Sequence, residues 1–235
     1  VGLLPVKAYP AANRGFGLVE ILVVLAILGV LVAIAIPVVD NALVAANRGK
    51  CVSNQRQIGL ALQMYANEHE GRFPGTMHST SYFRKEESWV FELAPYLGDV
   101  DKVRVCPADE PDRQQRILEG KFTSYVLNDQ VFDDPRYNSP IKLPQPSKTI
   151  LMFILSADRN PSQTWDHVHG GEWTSWAAAL YDTEPDRHRS GERSDDRTKG
   201  SSNYLFADGH VENISAREFK GLFDQGINPA AVPTE

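Results

Sequence analysis

Cysteine is scarce in this 235-residue chain, which has only Cys51 and Cys106. That excludes a disulfide-dense mini-scaffold and a zinc site built from four cysteines. An excess of positive charge is also missing. The formal net charge is −6, and −8 once the first 15 residues, which hold Lys7 and Arg14 and no acid, are set aside. Phosphate neutralisation needs clustered lysine and arginine, so no nucleic-acid partner is expected. No Gly-rich phosphate loop, serine-elbow motif or pair of catalytic carboxylates stands out. A hydrolase would therefore be a guess without residues, and a non-enzymatic role is expected.

What the chain does have is one dense apolar block, Phe16 to Val39. As a helix its roughly 24 residues would span about 36 Å, enough to cross a hydrocarbon core. Cations precede it at Lys7 and Arg14, while Arg48 and Lys50 come well after it. Charge near the start favours keeping that end in the cytoplasm, with the rest of the chain outside. A secretory signal would have a shorter apolar core and a small-residue cleavage site behind it, whereas this run flows into polar helix. The anomaly is Glu20, whose ionised side chain in lipid costs about 2.5–3.5 kcal/mol on insertion scales and so calls for a partner.

The segment Arg14-Gly15-Phe16-Gly17-Leu18-Val19-Glu20 resembles the processing motif of prepilins, the type IV pilin and type II secretion pseudopilin family. The resemblance implies a leader at 1–15, cleavage by prepilin peptidase between Gly15 and Phe16, and N-methylation of Phe16. It also implies that the new amino group meets a neighbouring subunit's Glu20 as subunits dock, a buried pair that sets register. Gly17 departs from the hydroxyl residue common at that position. Pro37 would kink or locally melt the rod, as in helices of this family.

After Asp40 the pattern turns amphipathic, with Leu43, Ala46, Ile58, Leu62 and Tyr65 near one face. One helix is expected from about Phe16 to Glu68, its membrane half at 16–39 and its amphipathic half at 40–70. Gly71 to Pro74 should end it, and a globular domain should fill 71–235. Within that domain a short helix is expected at Ser88–Leu97, an extended segment at Val103–Pro107, and strands at Phe122–Leu127 and Thr149–Leu155. Asp208-Gly209 between alternating runs predicts a hairpin over Tyr204–Ile214 with a type I′ turn. Ser215-Ala216-Arg217-Glu218 reads as a capping box opening a last helix. The fold class is α+β: a long helix on a small antiparallel sheet, pilin-like in outline.

A second resemblance lies downstream. The stretch from Cys51 to Pro74, CPAD at 106–109, SYVLND, and Asn203 to Val211 look like prepilins whose end is marked by His, nine residues and Asp-Gly. Here the corresponding His188 lies about twenty positions before Asp208, pushed upstream by a polar insert.

Both cysteines follow the membrane span, in a compartment that permits a bridge between helix and sheet; the alternative is two buried thiols. Asp158, Asp166, His167, His169, Asp182, Asp186, His188, Asp208 and His210 offer ligands, and Asp158, His188, Asp208 and His210 form the candidate metal set. The resemblance to major pseudopilins makes structural calcium the cofactor to consider, against solvated acidic loops. The charged run Asp182 to Lys199 reads as a flexible surface loop. Trp165, Trp173, Trp176 and Tyr181 read as packing under a loop rather than as a stacking surface for a ligand.

The resemblance thus implies a subunit of a type IV pilus or type II secretion pseudopilus. It is held in the inner membrane as a single-pass protein, with prepilin peptidase, an assembly platform, the lipid bilayer and further copies as partners. The reading from another class is a membrane-anchored binding or metal-dependent enzymatic domain.

Overall fold

The computed structural model describes residues 17–77, 88–98, 100–160 and 166–234. The chain divides into two compact units, Val1–Asn41 and Ala42–Glu235. A first helix, α1 (Leu18–Glu68), is assigned without a break across Pro37. In the first unit its side chains are exposed throughout, and its apolar composition makes it long and apolar enough to cross a membrane.

In the second unit α1 buries Cys51, Gln55, Ile58, Gly59, Leu62 and Ala66, a stripe at helical spacing. Leu43 and Ala46, placed on that face by the sequence pattern, are exposed. The stripe begins only where the sheet begins beneath it. Glu70 and Gly71 take positive φ and the Gly71 N–H returns to the Ala66 carbonyl at 2.8 Å, which closes the helix as expected of this glycine.

Next come α2 (Trp89–Glu92) and a 3₁₀ turn at Ala94–Leu97, where Pro95 breaks the expected single helix. Val103 and Arg104 lie in another 3₁₀ turn, Asp101–Arg104, and not in an extended segment. The cause is Arg104, whose buried guanidinium donates to the Ile117, Leu118 and Phe122 carbonyls and holds the chain curled. α3 (Pro111–Gly120) starts on a proline and ends at Lys121 in the left-handed conformation.

The sheet is built from β1 (Tyr125–Asn128), β2 (Ile150–Ile154), β3 (His167–Val168), β4 (Ser201–Phe206) and β5 (Val211–Ser215), in the order β3-β1-β2-β4-β5. It is mixed, not purely antiparallel, because β3 runs parallel to β1. Short helices α4 (Asp129–Phe132) and α5 (Trp176–Asp182) lie between strands, and α6 (Ala216–Asp224) follows β5. Ser215 Oγ accepts from the Glu218 N–H, the cap the sequence predicts.

Both faces of the central strands are covered. Tyr125, Leu127, Met152, Ile154 and Leu205 share a core with Cys51, Ile58 and Leu62 of α1. Val126, Phe153, Leu155, Tyr204 and Phe206 pack on the other side with Trp173 and Phe219. Burial on both faces explains why β2 reads as a continuous apolar run.

The hairpin is present but its turn differs from expectation. The Phe206 N–H reaches the His210 carbonyl at 2.9 Å, and Gly209 alone in the turn has positive φ, 91°. That is a three-residue loop with glycine in the left-handed place; a type I′ turn needs two such residues.

Candidate functional sites

At the start of α1 the Gly17 N–H donates to Glu20 Oε2 at 2.8 Å. The carboxylate thus satisfies one of the helix's orphan donors and lies at the positive end of its dipole. Glu20 is exposed on the rod. Gly15 and Phe16, the expected processing and methylation positions, lie outside the described residues.

Inside the domain, three distant parts of the chain converge. Cys51 projects from α1, Cys106 follows the turn before α3, and His188 sits just upstream of β4, pinned by paired backbone bonds to Ser201. Both Sγ atoms and a ring nitrogen of His188 lie within 4.8 Å of one another. The cysteines are fully buried and His188 is 4% exposed. Both thiols are free. The expected bridge partners are therefore brought together, but unbridged, with an imidazole beside them that sequence reasoning assigned to a different cluster.

Burial raises both thiol pKa values. At Cys51, the neighbouring Cys106, His188 and Tyr125 outweigh it, and the thiol falls well below its ordinary value. Cys106, buried and next to Cys51, is pushed well above. Tyr125 Oη donates to Cys51 Sγ at 3.5 Å, and the Cys106 N–H donates to Ser124 Oγ at 2.8 Å.

Around this cluster runs a buried ion network. Asp109 of CPAD meets Arg187 at 2.9 Å and Arg113 at 3.1 Å, and Arg187 also donates to the Leu155 carbonyl at 3.0 Å. Arg197 grips Asp186 through two bonds of 2.6 and 2.8 Å, and Glu184 receives Arg193 at 2.7 Å and the Ala157 N–H at 2.6 Å. Burial disfavours its charge, but Arg187 and the other donors win, and the Glu184 pKa is lowered to about 2. Burial acts against the Arg187 cation too, and Asp109 and Glu184 reverse it, raising that pKa. The run 182–199 is thus only in part the surface loop its polarity suggests: Ser190, Gly191, Glu192, Asp195, Asp196 and Lys199 are exposed, whereas 182–188 and Arg197 are buried. Glu184, Asp186, Arg187 and Arg197 are buried because their charges are matched pair by pair, and His188 is buried beside the two cysteines.

The candidate metal set does not assemble. Asp158 is held by Arg193 at 3.1 Å, and Asp208 and His210 pair with each other at 2.5 Å on the hairpin turn. His188 and Asp208 flank opposite ends of β4, about 20 Å of strand apart. Among the described residues the metal-competent group is instead Cys51, Cys106 and His188. Asp166 bonds His167 at 2.6 Å, Asp182 takes the Trp173 Nε1–H at 2.8 Å, and Asp186 is held by Arg197. Trp173 and Trp176 pack on Phe153 and Phe219, respectively, the packing role expected of them. Tyr181 is exposed under the Arg159 guanidinium, and Trp165 lies outside the described residues.

Compared with known proteins, residues 10–36 match the prokaryotic N-terminal methylation motif. Residues 42–115 match a family described as a protein of unknown function (DUF1559). No curated protein and no solved structure matches the chain. The methylation motif, the apolar helix and the α+β domain together make a prepilin- or pseudopilin-like architecture. The motif implies a processing partner of the prepilin peptidase type.

Proposed function

We propose that this chain is the structural subunit of a type IV pilus or type II secretion pseudopilus, cleaved after Gly15, N-methylated at Phe16 and polymerised through its apolar helix. The observation that carries the proposal is the methylation motif at residues 10–36 running straight into an exposed apolar helix with a single acid, Glu20, in its first turn. Before assembly the helix sits in the inner membrane with the domain outside the cytoplasm, where an assembly platform extracts it. In the filament the lipid is replaced by neighbouring helices, and the Glu20 carboxylate, held beside Gly17 in the lone subunit, turns to the methylated amino group of the next copy. Its role is architectural rather than catalytic.

Mass spectrometry of the mature N-terminus should find a chain that begins at methyl-Phe16. Recovery from envelopes with residues 1–15 still attached, despite an active processing protease, would refute the assignment. Glu20→Ala should insert normally and be processed, yet fail to enter filaments; an undiminished filament yield would remove the docking role.

A further inference from the structure

The two cysteines and His188 lie outside the docking residues proposed above, yet they are buried, both cysteines 0% and His188 4% exposed. We propose that Cys51, Cys106 and His188 form the ligand set for a thiophilic metal cation of the zinc kind, which ties α1, the CPAD segment and the segment before β4 to one point.

Geometry comes first. With metal–sulfur bonds of about 2.3 Å and metal–nitrogen bonds of about 2.0 Å, ligand atoms of a tetrahedral site stand roughly 3.3–3.8 Å apart. The three atoms here lie within 4.8 Å of one another, so closing on an ion needs shifts on the order of 1 Å and no change of backbone course.

The second observation separates a metal from a disulfide. His188 Nε2 lies 3.3 Å from Asn203 Nδ2, whereas Nδ1 is buried with no hydrogen-bond partner. An unmatched buried ring nitrogen costs about 1–3 kcal/mol. A Cys51–Cys106 bridge would use both sulfurs and leave that nitrogen as it is; an ion between the three groups takes its lone pair. The ring's proton then moves to Nε2, and the long Asn203 contact is given up. Asn203 keeps its bonds to the Arg48 carbonyl and from Asn213.

Charge and softness select the ion. Two thiolates and an imidazole are soft-to-borderline donors and a poor set for calcium, which takes oxygen. Binding releases the two S–H protons to solvent as two sulfur–metal bonds form, and nothing is oxidised. A divalent ion with two thiolates is neutral, which suits a site with both sulfurs 0% exposed. The Tyr125 hydroxyl, 3.5 Å from Cys51 Sγ, is the oxygen at hand for a fourth position.

The test uses the full-length chain extracted from membranes in detergent, purified without chelator and analysed for zinc and copper, with intact mass measured under denaturing, non-reducing conditions. The expected result is about one zinc per chain, with both cysteines open to alkylation after a strong chelator strips the ion. Cobalt(II) exchanged into the native chain should give intense visible bands and a sulfur-to-cobalt charge-transfer absorption, a readout that needs no variant. His188→Gln should weaken zinc binding at least about tenfold, as loss of a ligand or its support does. Copper(I) in place of zinc would uphold the thiolate–imidazole site and change only its ion. A chain two hydrogens lighter, or a dithiol that takes up neither zinc, cobalt nor copper(I), would overturn the site. Zinc content untouched by His188→Gln would overturn it equally. Neither result bears on processing at Gly15, so this site and the filament reading fail separately.

Discussion

Replacing Glu184 by glutamine keeps the shape of the side chain and removes one charge from the middle of the arginine network. The carboxylate is fully buried, accepts from the Ala157 N–H, and faces Arg187, Arg189, Arg193 and Arg197 at 2.7 to 3.9 Å. Its pKa of about 2, against an ordinary 4.5, states how much better the folded protein holds the charged form. Each tenfold in proton affinity is about 1.4 kcal/mol, so the charged carboxylate gives the folded state roughly 3 kcal/mol. For a domain of this size that corresponds to about 6–12 °C in Tm. Because the folded pKa is the lower one, this stability is fully present above the unfolded value near 4.5 and is lost as pH falls through about 2. Thermal melts of the full chain in detergent, followed by circular dichroism, should therefore show Glu184→Gln less stable by that margin at pH 7. The gap to the parent protein should narrow from about pH 4.5 and close near pH 2. A variant melting within about 1 °C of the parent at neutral pH would refute the reasoning. So would a gap that stays constant down to acid.

Further expectations concern packing and caps. A Cβ at Gly59 would come within 2.9 Å of Leu205 Cδ1 in the core, so Gly59→Val should cost about 1–3 kcal/mol in chemical denaturation, and a neutral result would mean that α1 and β4 can part more freely than their packing implies. Ser215→Ala removes the acceptor for the Glu218 N–H and should lower stability by about 1 kcal/mol, read as a drop in denaturation midpoint at unchanged slope. Gly209 sits at φ 91°, so Gly209→Val should cost about 1–2 kcal/mol and raise amide exchange at the hairpin turn; unchanged exchange would show that the turn does not depend on the left-handed residue.

Elements whose own residues carry the signal were legible in the sequence. The apolar block announced α1, the β-branched run gave β2, Asp208-Gly209 gave a hairpin, and Ser215 to Glu218 gave the cap of α6. α3 escaped because its stretch, PDRQQRILEG, shows almost no apolar period. Its inward face is Ile117 together with the buried stem of Arg113, a cation made tolerable only by Asp109 and the carbonyls of Ser156, Ala157 and Arg159. The buried part of the run 182–199 escaped because most of its ion pairs are local, Arg193–Glu184 and Arg197–Asp186 among them, and a local run of mixed charge reads the same buried or solvated, while the Arg187–Asp109 pair joins distant segments and leaves no local trace. The cysteine pair was legible as a pair, from composition and the order of segments. Its third member was not: His188 was read against Asp208, and only the backbone pairing with Ser201 turns it towards the sulfurs instead.

The two margins of the sheet are unlike, and this bears on how copies can meet. Among the described residues one ends in β3, two residues long; the other is β5, where Glu212 and Asn213 are exposed. A stub too short to template a newcomer and a border carrying an acid both resist strand addition. Molecules crowded side by side at high local concentration are thus steered away from fibrillar stacking, and in the filament proposed above ordered growth is left to the oily α-helical stem.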